Sequence, residues 1–171
     1  MKYNSKLFFL LLLIAPFFFS CSKNSSSDDS SPYFKFKMNG NWITWNEALA
    51  DLNVQSGQTN FNFSSRNEGA TEYIYMLVTP NNGSSLVPGT YTPDNSLLKV
   101  SYVKYLNSVD FINYSDNAFG SPADTRYEIT ITSVTEKTIK GSFKGNYLTN
   151  DFNDSDKLNI TEGEFSLQRV R

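Results

Sequence analysis

The sequence predicts an all-β domain, an antiparallel β-sandwich or open barrel of about nine strands. Apolar residues alternate with period two through most of residues 33–171, the spacing of half-buried strands. Turn dipeptides such as Asn39-Gly40 punctuate these runs, and helical spacing is confined to the first twenty residues.

Phe34, Phe36 and Met38 alternate with Lys35 and Lys37, and Asn39-Gly40 then turns the chain because both residues tolerate positive φ. The next run extends from Trp42 to Val54, with Ala48, Ala50, Leu52 and Val54 on one parity and Glu47, Asp51, Asn53 and Gln55 on the other. That parity assigns Trp42 to the core and turns Trp45 toward solvent. Phe61 and Phe63 mark a third strand. Residues 73–79 (YIYMLVT) are apolar on both faces and predict a central strand covered on both sides. Residues 97–105 and 109–114 predict a hairpin. Tyr127, Ile129 and Ile131 alternate with polar residues, as do Ile139, Gly141, Phe143, Gly145 and Tyr147. In the last strand the apolar parity shifts between Ile160 and Phe165, which predicts a bulge with Gly163 in the left-handed conformation.

Ahead of this domain the chain reads as an export and anchoring segment. Lys2 and Lys6 precede a 13-residue apolar run, residues 7–19, broken by Pro16 and followed by Ser20-Cys21. The run is short for a spanning helix, which needs about 20 residues, and has the order of a signal peptide. The solitary cysteine at its end resembles the lipobox of bacterial lipoproteins, and the resemblance implies acylation of Cys21. Two or three acyl chains anchor stably where one holds marginally. The expected organisation is a signal peptide over 1–20, the lipidated Cys and a Ser-rich tether over 21–32, and one domain over 33–171. As a flexible coil the eleven tether residues reach roughly 18 Å. The expected location is the outer membrane, facing either the cell surface or the periplasm.

Composition excludes much chemistry. The 171 residues contain no histidine and one cysteine, so no imidazole-based catalytic unit and no internal disulfide can form. The domain carries 12 Lys and Arg against 15 Asp and Glu, without the basic excess of a nucleic-acid binder. No cofactor or metal motif is present. The stretch from Asp151 to Glu162 has carboxylates and amides at several positions of a calcium loop, but Asp156 stands where such loops need Gly and the flanks predict strands, so a solvated hairpin loop is expected.

The order F-K-M-N-G-N-W at the start, P-G-T-Y-T at 88–92, Y-E-I-T-I-T from Tyr127, I-K-G-S-F-K-G from Ile139 and I-T-E-G-E-F near the end resembles small lipoproteins of the Bacteroidota whose function is unknown. The resemblance implies a lipid-anchored β-domain and supplies no catalytic residue.

Three function classes follow. The leading one is a non-catalytic binding or accessory module of the envelope, with glycans or an envelope protein as partner. Its candidate ligand face is Trp45 with Tyr102, Tyr105 and Tyr114, because exposed flat aromatics suit sugar stacking. The second is a carrier of a small apolar ligand, which needs a cavity lined by residues such as Phe36, Tyr75, Ile129 and Phe143. The third is a hydrolase using two carboxylates, and no carboxylate carries a local signature for it.

Overall fold

The computed structural model describes residues 31–55, 57–81, 85–116 and 126–170; Cys21, the apolar run before it and most of the tether lie outside them. Thirteen strands and no helix occur among the described residues. They form one curled open sheet with eleven strands in the order β12-β11-β8-β7-β5-β4-β3-β13-β10-β9-β6 and a two-strand branch, β1 and β2. The count exceeds the expected nine because the run from Trp42 to Val54 is two strands, both arms of one long hairpin are split, and β6 adds a three-residue strand.

The opening hairpin follows from its turn. β1 (Tyr33–Met38) and β2 (Asn41–Trp45) are joined by Asn39 and Gly40, at φ 49° and 85°, the conformation of the tightest hairpin turn. This turn fixes Met38 opposite Asn41 and therefore Lys37 opposite Trp42. β3 (Glu47–Gln55), β4 (Gln58–Arg66) and β5 (Glu72–Pro80) then meander. After β6 (Gly89–Tyr91), β7 (Ser96–Tyr105) and β8 (Phe111–Ser115) make the expected hairpin.

β9 (Glu128–Val134) leads into β10 (Thr138–Lys144), β11 (Leu148–Asn150), β12 (Asn153–Leu158) and β13 (Ile160–Val170). The last four strands are one long hairpin, kinked at 145–147 on one arm and at Asn159 on the other. Its near half pairs β9; its far half pairs β8. One edge of β13 pairs β10, while the other pairs first β1, antiparallel, and then β3, parallel. Both ends of the sheet are thereby drawn around a single core.

That core is aromatic. Phe34 packs on Phe36, Phe143 and Phe165, with ring centroids 5.7 to 6.0 Å apart, and Phe63 lies 5.5 Å from Phe165. Small residues make room for these rings. Gly141 lies opposite Phe165, and Gly163 opposite Phe143. A Cβ on Gly163 would stand 2.5 Å from the Lys35 carbonyl oxygen and 2.6 Å from Phe143 Cζ.

Several sequence expectations need correction. A bulge does interrupt β13, since Phe36 pairs Gly163 but Met38 pairs Ile160. Gly163, however, is not among the residues with positive φ; its role is to leave space for a ring rather than to adopt the left-handed conformation. Leu52 and Val54 are exposed, because β13 ends at Val170 opposite Asp51 and the rest of the β3–β4 hairpin projects past it. On β5, Ile74, Met76 and Val78 are buried whereas Tyr73, Tyr75 and Leu77 are half-buried, so one face is core and the other only partly covered.

The tryptophans are reversed. Trp42 is 51% exposed and Trp45 6%. At Asn46 the chain leaves the edge of β1 for the edge of β13, so Trp45 and Ala48, three residues apart, both point inward.

Candidate functional site

The outward face of β2, β1, β13, β10 and β9 carries two cross-strand rows that follow directly from register. One runs Trp42, Lys37, Glu162, Lys144, Glu128, with Glu162 placed by the bulge in β13. The other runs Thr44, Lys35, Glu164, Ser142, Thr130, Thr90. Adjacent side chains in such rows stand about 5 Å apart, so opposite charges placed there pair across the strands. Lys37 Nζ lies 3.1 Å from Glu162, Lys144 Nζ 3.1 Å from Glu128, and Lys35 Nζ 3.4 Å from Glu164. The hydroxyls of Thr90 and Thr130 are 3.2 Å apart.

Between the rows is a groove of about 480 Å³, with Trp42 at one end and Glu128 and Thr130 at the other. Trp42 is held in place by two ammonium groups, Lys35 Nζ at 4.9 Å and Lys37 Nζ at 5.9 Å from the ring centroid, a cation–π arrangement. Half of the indole stays open to solvent. The groove thus offers one flat apolar surface followed by alternating donors and acceptors. Each of its three carboxylates has a lysine as ion-pair partner.

The four aromatics expected to share a ligand face do not meet on one. Trp45 lies in the core, 4.9 Å from Phe36 and stacked on Tyr102 at 6.3 Å. Tyr102 is 2% exposed, and burial pushes its hydroxyl far above the ordinary tyrosine range, assisted by the charge of Glu72. Tyr114 is half-buried and donates to Asp156 Oδ2 at 2.9 Å. Tyr105 is exposed at the far end of β7, between Tyr73 and Phe111. Trp42 is the aromatic on the groove, and the sequence parity missed it.

Of the residues named for a carrier cavity, Phe36, Ile129 and Phe143 point inward and are fully packed, while Tyr75 points outward and donates to Asn62. The acidic stretch is not the hairpin loop expected from Asp151 to Glu162: only Asp151 and Phe152 turn, Asn153 to Leu158 are β12 itself, and Glu162 lies in β13. Asp151 accepts from Ser115 and Asn113, Asp156 from Tyr114 and Asn150, and Glu162 is on β13 with Lys37, so these carboxylates diverge. Among the described residues no group of three or more His, Cys, Asp or Glu could hold a metal.

One carboxyl departs strongly from its usual range. Asp116, after β8, accepts the Val100 N–H at 3.0 Å, and burial pushes its pKa up to about 6 despite that bond and the charge of Lys99. A carboxyl raised in the fold favours the folded state while neutral, and this contribution is lost as pH rises through about 6. Going from pH 7 to pH 4 should therefore recover about 2 to 3 kcal/mol from this group. Asp116→Asn, which keeps the acceptor oxygen, should be more stable at pH 7 and lose that part of the pH dependence. Denaturant melts across pH 4–7 check it; an unchanged slope in the variant refutes the assignment.

No family model, no curated protein and no solved structure matches this chain.

Proposed function

We propose that the protein is an outer-membrane lipoprotein, anchored through acyl chains on Cys21, whose half-open barrel presents the Trp42 groove as a non-catalytic binding site for glycans. The observation that carries this reading is the half-exposed indole at the head of a row of alternating charges. A sugar ring offers an apolar C–H face for stacking and a rim of hydroxyls, and this row supplies matching ammonium and carboxylate groups one strand apart. Lysine pairing of each groove carboxylate supports binding without catalysis, because a general acid needs its proton held in an apolar site and a nucleophilic carboxylate needs a free face. The aromatic packing at Phe36 and Phe143 argues against an apolar carrier, whose ligand would need that space.

The test is retention on a polysaccharide array. Trp42→Ala should lose about tenfold or more in affinity for whichever glycan the wild type retains, while its stability changes by less than about 1 kcal/mol. Failure of the wild type to bind any glycan, or equal binding by the variant, removes the reading.

A further inference from the structure

A second surface lies at the end of the sheet where β7 and β11 both turn. Each of these strands is antiparallel to β8, so their hairpin tips share one end, and the Asp151 N–H donates to the Asn113 carbonyl, joining the second tip to the base of the first. The two tips expose Leu106 and Val109 on one and Phe152 on the other, with Val109 78% and Phe152 84% open. Behind Leu106 and Val109 stand the rings of Tyr105, Phe111 and Tyr73, spaced 5.6 and 5.9 Å apart.

These apices are apolar in a specific way: the tips satisfy many of their own polar groups. In the first, the Leu106 N–H donates to the Asp110 carbonyl, Asn107 Oδ1 accepts from the N–H of both Val109 and Asp110, and the Asn107 amide donates to the Asp110 carboxylate at 2.6 Å. In the second, the Phe152 N–H donates to Asn150 Oδ1, and the Asp151 carboxylate accepts from Ser115 and Asn113. Backbone and side-chain polar groups engaged internally lower the cost of carrying a loop out of bulk water and into the headgroup boundary. The apices are convex and sit on separate hairpins, which suits a deformable partner rather than a groove. Apolar apices backed by tyrosines follow the order of residues at a membrane interface.

We infer that the Leu106–Val109 and Phe152 tips enter the headgroup boundary of the bilayer to which the chain is anchored, fixing the orientation of the domain on the membrane. The identity of that bilayer rests on the lipoprotein reading above. The geometry permits it. β1 runs toward the same end as β7, and the eleven tether residues span at most about 38 Å, more than the roughly 20 Å of a six-residue strand, so a chain leaving Tyr33 can return past β1 to that end.

The test uses the polypeptide from Ser22 to Arg171, which lacks Cys21 but contains the whole described core, Phe34 to Leu167. It is sedimented with phosphatidylcholine–phosphatidylethanolamine vesicles, zwitterionic because Asp110 and Asp154 stand on the tips. The wild type should co-sediment, and both Leu106→Ser/Val109→Ser and Phe152→Ser should bind about tenfold less, with unchanged melting midpoints and unchanged glycan retention. No co-sedimentation of the wild type, or equal binding by both variants, overturns the inference. So does a concentration-dependent dimer that the same substitutions abolish, because the occupant would then be a second copy. The mass of the N-terminal peptide from the full-length protein reports acylation of Cys21 separately, so loss of the anchoring reading and loss of the tip contact are distinguishable.

Discussion

Gly163→Ala is expected to destabilise the domain by about 3 kcal/mol or more, a large effect for one methyl group. The added Cβ would lie 2.5 Å from a backbone oxygen on β1 and 2.6 Å from the Phe143 ring on β10. A flexible side chain could yield, but here the ring is held by Phe34 and Tyr127 and the oxygen by the ladder of β1 with β13. Relief requires the strands to separate or Phe143 to leave its rotamer, and either change disturbs the aromatic cluster. Denaturant unfolding measures it. If Phe143→Ala restores part of the loss in the double variant, the clash is located; a Gly163→Ala protein as stable as the wild type would mean that the close packing of β1, β13 and β10 is wrong.

Trp45→Ala should cost about 3 to 5 kcal/mol, the range for deleting a core aromatic. Its indole meets Phe36 edge-on and stacks on Tyr102, linking the β1–β2 branch to β7 on the opposite part of the sheet. Truncation leaves a cavity at the place where the two parts meet, and neither strand can close it without giving up its own register. Near-ultraviolet circular dichroism and equilibrium melts of Trp45→Ala and Trp42→Ala, side by side, check the contrast: a large loss for the first and little for the second. Equal losses would contradict the opposite burial of the two indoles.

That contrast also shows how much was legible in the sequence. Period-two alternation identified most of the strands, and the β7–β8 hairpin and the Ile129–Ile131 and Ile139–Phe143 strands lie where it put them. The error over Trp42 and Trp45 came from treating residues 42–54 as a single strand. Parity holds only while a chain keeps one set of neighbours, and at Asn46 the chain changes edge. A better signal was present nearby. Asn39-Gly40 demands a two-residue turn, which pairs Lys37 with position 42; with Lys37 on the polar face, Trp42 must be there too. The groove was hidden for a different reason. Its rows pass from β1 to β13, from β13 to β10 and from β10 to β9, the first a pairing between distant segments, and alternation within a strand says nothing about which strand lies beside it. Leu52 and Val54 could not be assigned for the same reason, since their exposure depends on where β13 ends.

The position of β13 has a consequence for how the chain acquires its fold. Three strands, β1, β3 and β10, each take one partner from this one, the last of the described strands, and its pairing with β1 spans some 125 residues of sequence, as between Lys37 and Glu162. Closing so long a loop carries an entropic cost that no early local contact offsets, and domains dominated by such pairings fold slowly. Until residues 160–170 exist, the β1–β2 hairpin and the β3–β4 hairpin have no common neighbour, and the rings of Phe34 and Phe63 lack the Phe165 ring that both touch. A nascent chain of this protein therefore cannot complete its aromatic cluster until residues 160–170 have been made.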